Sequence, residues 1–348
     1  MVRPVVFAVP GDLATPTGGY AYDRRIIAEL PALGWQPELV NLGDGFPQPT
    51  AAIRAAAGRR LAALPPGQPI VIDGLAYGAL PEVAQRLCAS HRLVALVHHP
   101  LALETGWSAA DCAAWQASER AALAAARHVI ATSATVARLL AADYAVPSER
   151  LTVVAPGTDR IDARPRKRND VIALLAVGAV VPRKGYDVLV AALARLKELP
   201  WRLVIAGDCG RSPATAQRLR ADIAGFGLAD RVTLCGAAAA EQLGRLYRSC
   251  DLFVLASRFE GYGMAYAEAL AHGLPVIGTQ AGAIPETVPA DAGVLVPSDD
   301  VDALTAALRR LIEIPHERER LAAGARCARF SSWSEQAALF AGALEALA

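Results

Sequence analysis

Short apolar runs alternate with longer, mixed segments along most of the chain, and the alternation starts twice. In the first half the runs fall at 5–9, 39–42, 69–73, 93–97, 129–133 and 151–154. Runs this short and this continuous predict parallel strands covered on both faces. Between them lie stretches with helical patterning at 20–30, 51–64, 111–126 and 134–144. From 160 to 170 the composition turns to Arg, Lys, Pro and Asp, as linkers do. Strands are then predicted at 171–177, 201–207, 232–235, 251–256, 274–278 and 293–296, with helices at 186–196, 214–226, 264–271 and 302–312. A last helix follows Ser331-Ser332-Trp333 and runs to 348. The pattern predicts an α/β chain of two doubly wound, Rossmann-like parallel-sheet domains, 1–160 and 171–331, facing a cleft.

The stretch from Asp251 to Glu286 carries the most chemistry. A buried strand leads into a polar loop, Ser257 to Gly263, and then into a run of good helix formers ended by Gly273 and Pro275. This order puts Glu260 in the loop and Glu268 on the early helix. Amides of Gly261, Tyr262 and Gly263 at a helix N-terminus favour phosphate or hydroxyl oxygens, and a carboxylate accepts the paired hydroxyls of a ribose. Taken singly, a Glu near a first turn is also an ordinary answer to the helix dipole, and glycines before a helix are ordinary turn residues.

The spacing narrows that choice. Two Glu separated by seven residues, Gly-Tyr-Gly directly after the first, then Ala-His-Gly-Leu-Pro-Val (271–276) and Gly-Ala-Ile-Pro-Glu (282–286), resemble the E-x7-E motif of the family 4 glycosyltransferases. The resemblance extends over nearly the whole chain and more strongly over its second half. It implies the GT-B architecture, with an N-terminal acceptor domain, a C-terminal nucleotide-sugar donor domain, and the 332–348 helix packed back on the first. The implied activity is transfer of a hexose from a nucleoside diphosphate to an acceptor, with retention at the anomeric carbon.

The resemblance also distributes roles. Glu268 is expected to hold the ribose diol. Glu260 and the amides of Gly261, Tyr262 and Gly263 are expected to hold hexose hydroxyls. Arg183 and Lys184, before a helix N-terminus, are expected to meet the diphosphate. Family members usually carry an Arg directly after the first glycine of this loop, and here that position is Ala179, so Arg183 is the replacement charge. The Gly18-Gly19 loop is expected to face the donor; it is not the dinucleotide fingerprint. His98, at the end of a strand where open sheets place ligands, matches the family's donor-sugar histidine, with His99 as the alternate. His98, Lys184 and Glu260 are the expected catalytic residues.

Composition removes other classes. Lys plus Arg (35) nearly cancels Asp plus Glu (34), which argues against nucleic-acid binding. No apolar run approaches the ~20 residues of a membrane span, and the chain opens without the shape of a signal peptide. Arg54, Arg59 and Arg60 on the 51–64 helix leave peripheral contact with the inner membrane face open beside a cytoplasmic location. The six cysteines are scattered, without C-x-x-C or a histidine at metal spacing, and read as small buried hydrophobes in a reducing compartment. No metal and no cofactor beyond the nucleotide sugar is expected, in keeping with the lack of an Asp-x-Asp pair. The acceptor, whether small molecule, glycan or lipid, is not marked. A sugar-nucleotide epimerase, a phosphorylase and a non-catalytic sugar-nucleotide binder share the same architecture.

Overall fold

The computed structural model describes residues 3–159, 161 and 170–347. Most of the 160–170 linker stretch therefore lies outside the described residues. The chain divides into two compact units, 1–157 with 331–348, and 158–330.

The first unit holds six parallel strands: β1 (Arg3–Val9), β2 (Trp35–Asn41), β3 (Pro69–Asp73), β4 (Arg92–Val97), β5 (His128–Ala131) and β6 (Leu151–Val153), in the order β2-β1-β3-β4-β5-β6. The chain lays β2 on one side of β1 and β3 on the other, so the sheet's switch point falls between β1 and β3. The second unit repeats the plan with β7 (Ile172–Val177), β8 (Trp201–Ala206), β9 (Val232–Gly236), β10 (Leu252–Val254), β11 (Val276–Thr279) and β12 (Gly293–Val296), ordered β12-β11-β10-β7-β8-β9. Its switch point falls between β7 and β10. Open parallel sheets bind ligands outside the carboxyl ends of strands at such points.

The central strands are buried end to end: β3 throughout, and β4 from Leu93 onward. Leu174, Phe253 and Val276 anchor the second core, packed under the helices 186–194 and 301–313. The helix Trp333–Glu345 is a capping-box helix: the Ser332 hydroxyl accepts from Glu335 N, and the Glu335 carboxylate accepts from Ser332 N. It returns to the first unit, where Phe340 stacks on Phe7 at 5.7 Å and the Arg25 guanidinium lies over Trp333.

Several expectations are corrected. β2 begins at Trp35, four residues before the run at 39–42; it is an edge strand with exposed Gln36 and Glu38, and so lacks a continuous apolar run. Helices at Pro81–Leu87, Ala240–Ser249 and Pro315–Cys327 were not expected, because their apolar stripes are narrow or interrupted. Gly18 and Gly19 are not a loop but the first turn of the helix Gly18–Glu29, since the Thr17 hydroxyl caps it by accepting from Tyr20 N. Of the cysteines only Cys250 is buried; Cys88 and Cys327, at helix ends, are exposed. Among the described residues no helix is long and apolar enough to cross a membrane.

Candidate active site

In the second unit the loops after β7 and β10 flank the switch point. The first, Gly178 to Gly185, ends in a turn of 3-10 helix, Pro182–Lys184, closed by Gly185 in the left-handed region (φ 64°). A Cβ on Gly185 would stand 1.9 Å from the Ala256 carbonyl oxygen, so only glycine lets this loop press against the end of β10. The amide of Arg258 then donates to the Arg183 carbonyl, tying the two loops together.

That contact brings residues some 76 positions apart into one cluster. Lys184 Nζ donates to Glu260 Oε1 at 2.6 Å, and Arg183 donates to Glu260 Oε2 at 3.3 Å and to the Phe259 carbonyl at 2.7 Å. The Ser257 hydroxyl donates to Glu260 Oε1 at 2.6 Å. Glu260 is buried. Burial alone would raise its pKa, but Lys184 and Arg183 outweigh it and hold the carboxyl at about 2. Glu260 is thus a fixed anion between two cations, and the trio keeps a net positive charge.

Gly261 and Tyr262 lead to Gly263, which caps the helix Met264–Ala271 from the left-handed region (φ 97°). Tyr262 is half-buried, its carbonyl accepting from the Thr287 hydroxyl, and burial pushes its phenol up to about 12. On the second turn of this helix stands Glu268. The Tyr247 hydroxyl donates to Glu268 Oε2 at 2.9 Å, and burial raises the Glu268 carboxyl above its ordinary value. Tyr247 is in turn stacked on His272, ring centroids 4.8 Å apart. All of the donor residues expected in this unit, Arg183, Lys184, Glu260 to Gly263 and Glu268, therefore lie on the loops and the helix start around one switch point. Sequence reasoning missed Tyr247 and Ser257. Ser257 opens the loop already singled out; Tyr247 sits in the unexpected helix 240–249, and nothing in its local sequence signals it.

The first unit has a second cluster at its own switch point. His98 follows β4, and its Nε2 lies 3.1 Å from Asp23 Oδ1 and 3.5 Å from Asp73 Oδ2. Asp73 ends β3, its other oxygen accepting from Leu75 N at 2.7 Å. Asp23 comes from the helix whose first turn holds Gly18 and Gly19. A Cβ on Gly19 would stand 3.0 Å from His98 Cδ2, so the glycine fits against the ring. His99 turns elsewhere and pairs with Glu104 at 3.3 Å, which leaves His98 as the histidine beside the glycines. Asp73 was legible by the same strand-end rule that picked out His98. Asp23, four residues past Gly19, carries no such signal.

Comparison with known proteins bears on the fold and the family. Residues 5–160 match the family described as Glycosyltransferase Family 4, and residues 157–327 match Glycosyl transferases group 1. The MMP alpha-(1->4)-mannosyltransferase of Mycolicibacterium hassiacum is 33% identical over 80% of this chain and 69% of its own. The D-inositol 3-phosphate glycosyltransferase of Thermomonospora curvata is 33% identical over 60% of this chain and 54% of its own, so the chain spans only about half of that relative. In fold, sucrose-phosphate synthase from Thermosynechococcus elongatus superimposes with a TM-score of 0.83 over 99% of both chains at 23% identity. HepE of Anabaena, in complex with UDP and glucose, does so with a TM-score of 0.77 over 99% of this chain and all of its own at 18% identity. The family matches together with two parallel-sheet units of this fold define a glycosyltransferase of GT-B architecture. Within that class, the chain belongs to glycosyltransferase family 4.

Proposed function

We propose that the protein transfers a hexose-type sugar from a nucleoside-diphosphate sugar to an acceptor, with retention of anomeric configuration and without a divalent metal. The observation that carries this reading is the Arg183–Glu260–Lys184 trio at the switch point, one helical stretch from Glu268. As the glycosidic bond breaks, the departing diphosphate gains negative charge. Lys184 and Arg183 attract that charge more strongly than the ground state, which lowers the barrier. Two cations in this place supply the counter-charge that a divalent ion supplies elsewhere.

Glu268, held by Tyr247, accepts the ribose hydroxyls, and the Gly261 to Gly263 amides with Glu260 face the hexose. In the first unit His98, beside Gly18 and Gly19, bonds to the donor sugar. The names of relatives that act as mannosyltransferase or on inositol 3-phosphate support a small polar acceptor bearing sugar or cyclitol hydroxyls.

The test is calorimetric titration with a panel of nucleoside diphosphates and their sugars, with and without a chelator. Product from the donor that binds is then read by NMR for its anomeric configuration. One nucleotide binding equally well with chelator present, and a product that keeps the donor's configuration, is the expected result. Binding without transfer to any acceptor would make the protein a sugar-nucleotide binder. Turnover that needs no acceptor would make it an epimerase, and turnover that needs only free phosphate a phosphorylase. Failure of every nucleotide to bind would remove the donor site, with Ala179 as the departure to blame.

A further inference from the structure

We propose that Asp23 and Asp73 are positioning residues that hold His98 as an imidazolium, so that its Nδ1–H donates a hydrogen bond to a substrate oxygen. This deepens the proposed function, on which it rests: the histidine that bonds to the donor sugar does so as a fixed cationic donor.

The argument starts from which atoms converge. Both carboxylates approach the same ring nitrogen, Nε2, at 3.1 and 3.5 Å. A lone pair on Nε2 would face two anions, so Nε2 carries a proton. The side chain of Asp23 is fully buried and that of Asp73 only 3% exposed, and neighbouring carboxylates at such depth repel unless one takes up a proton or a positive charge stands beside them. Burial raises the Asp23 carboxyl to about 6, so above that pH it is an anion and the ring is the cation beside it. Asp23 Oδ2 is buried with no hydrogen-bond partner, so little in its surroundings besides a nearby cation compensates its charge.

The other ionisable or polar groups facing the ring do not compete. Tyr22 meets it edge-on at 5.3 Å, and burial, then the charge of Asp23, keep that phenol neutral. From the end of β5 comes only the Thr132 hydroxyl, which donates to the His98 carbonyl at 3.0 Å. The adjacent His99 is engaged with Glu104. Burial by itself would lower the basicity of His98; Asp23 and Asp73 together reverse that and raise it. The Nε2 and Cδ2 edge is taken up by the carboxylates and by Gly19. Among the described residues Nδ1 has no hydrogen bond, and 19% of the side chain remains exposed. The Nδ1 edge is therefore the one a ligand reaches, and on an imidazolium it is a donor, never an acceptor.

The test reads the ring directly. The wild-type protein, labelled with 15N at histidine and kept in chelator, is titrated by NMR between pH 6 and 10, beside the near-isosteric variants Asp23→Asn and Asp73→Asn. Both His98 ring nitrogens of the wild type are expected to remain protonated above pH 8. Each variant is expected to lose a ring proton at least one pH unit earlier. In transfer assays the alkaline limb of kcat should move down by the same amount, while KM for the donor changes less than threefold. A merely structural role for the carboxylates would lower folded yield without moving that limb. A neutral His98 ring in the wild type at pH 7.5 overturns the proposal. So does a variant whose ring titrates like the wild type, or a ring signal that shifts between chelator and added zinc or magnesium, since the three side chains would then be cation ligands. The NMR arm needs no substrate, so it stands or falls apart from the transferase reading. Should Asp23→Asn fail to fold, the wild-type ring and Asp73→Asn still decide the matter.

Discussion

The two switch points carry charge clusters of opposite sign built on the same plan. In the second unit one carboxylate, Glu260, is clamped between the two cations Arg183 and Lys184. In the first unit one imidazole, His98, is clamped between the two carboxylates Asp23 and Asp73. Each cluster joins side chains from different elements, the loops after β7 and β10 in the second unit and the ends of β3 and β4 with the helix Gly18–Glu29 in the first. The difference teaches what the electrostatics are arranged for. A net positive cluster suits a group that becomes more negative as it leaves, while a protonated ring among anions suits a directional donor whose charge is already balanced.

That contrast is testable from its strongest consequence downward. Truncating the central member of the second-unit cluster, Glu260→Ala, takes a buried carboxylate away from two partly buried cations and should cost ~3 kcal/mol of stability, measured by urea unfolding. The same experiment across pH carries a sign. Glu260 has a folded pKa depressed to about 2 from an ordinary 4.5, so its contribution is fully present above pH 4.5 and disappears as pH falls through 2. The gap between wild type and Glu260→Gln should close over that window; a constant gap would mean that the carboxylate charge is not what stabilises.

The first-unit cluster should behave in reverse, and more weakly. His98 is raised above its ordinary 6.5, so its pairing stabilises fully below pH 6.5 and is lost as pH climbs through the raised value. Burial raises the Asp23 carboxyl to about 6, so the pair is fully charged near pH 8, where Asp23→Asn should cost ~2 kcal/mol, the scale for a hydrogen bond to a charged group. Wild type and variant should converge above pH 10, as followed by denaturant unfolding.

Smaller effects belong to nucleotide binding. Glu268→Ala should weaken nucleotide affinity by ~1–3 kcal/mol with stability little changed; unchanged affinity by calorimetry would take the ribose role away from Glu268. Tyr247→Phe removes only the hydroxyl that orients Glu268, and should weaken the same affinity by about 1 kcal/mol. If Tyr247→Phe proved as damaging as Glu268→Ala, the phenol would itself be a ligand contact.

Much of this layout could be read before any coordinates. The strand runs at 69–73 and 293–296 and the helix at 264–271 match the structure residue for residue, because a short unbroken apolar run between turn residues, or a helix bounded by glycines, is written in adjacent residues. β2 was half-read because one exposed edge mixes polar residues into the run. The helix Ala240–Ser249 escapes a sequence reading because Glu, Gln, Arg and Ser fill half of its positions and leave its buried face to very few residues, Tyr247 being the one fully covered, and Tyr247 escapes with it.

The amino-acid order alone thus determined the two rounds of strand and helix, the loop that holds Glu260, and the strand ends at which His98 and Lys184 sit. Those features depend on short-range periodicity and turn chemistry, which each segment carries by itself. Only the tertiary structure decided that Glu260 meets a lysine 76 positions away, and His98 an aspartate 75 positions away. Those meetings follow from strand order, with β10 seated against β7 and β3 against β1. Strand order is set by burial summed over a whole sheet, which no local stretch of residues encodes.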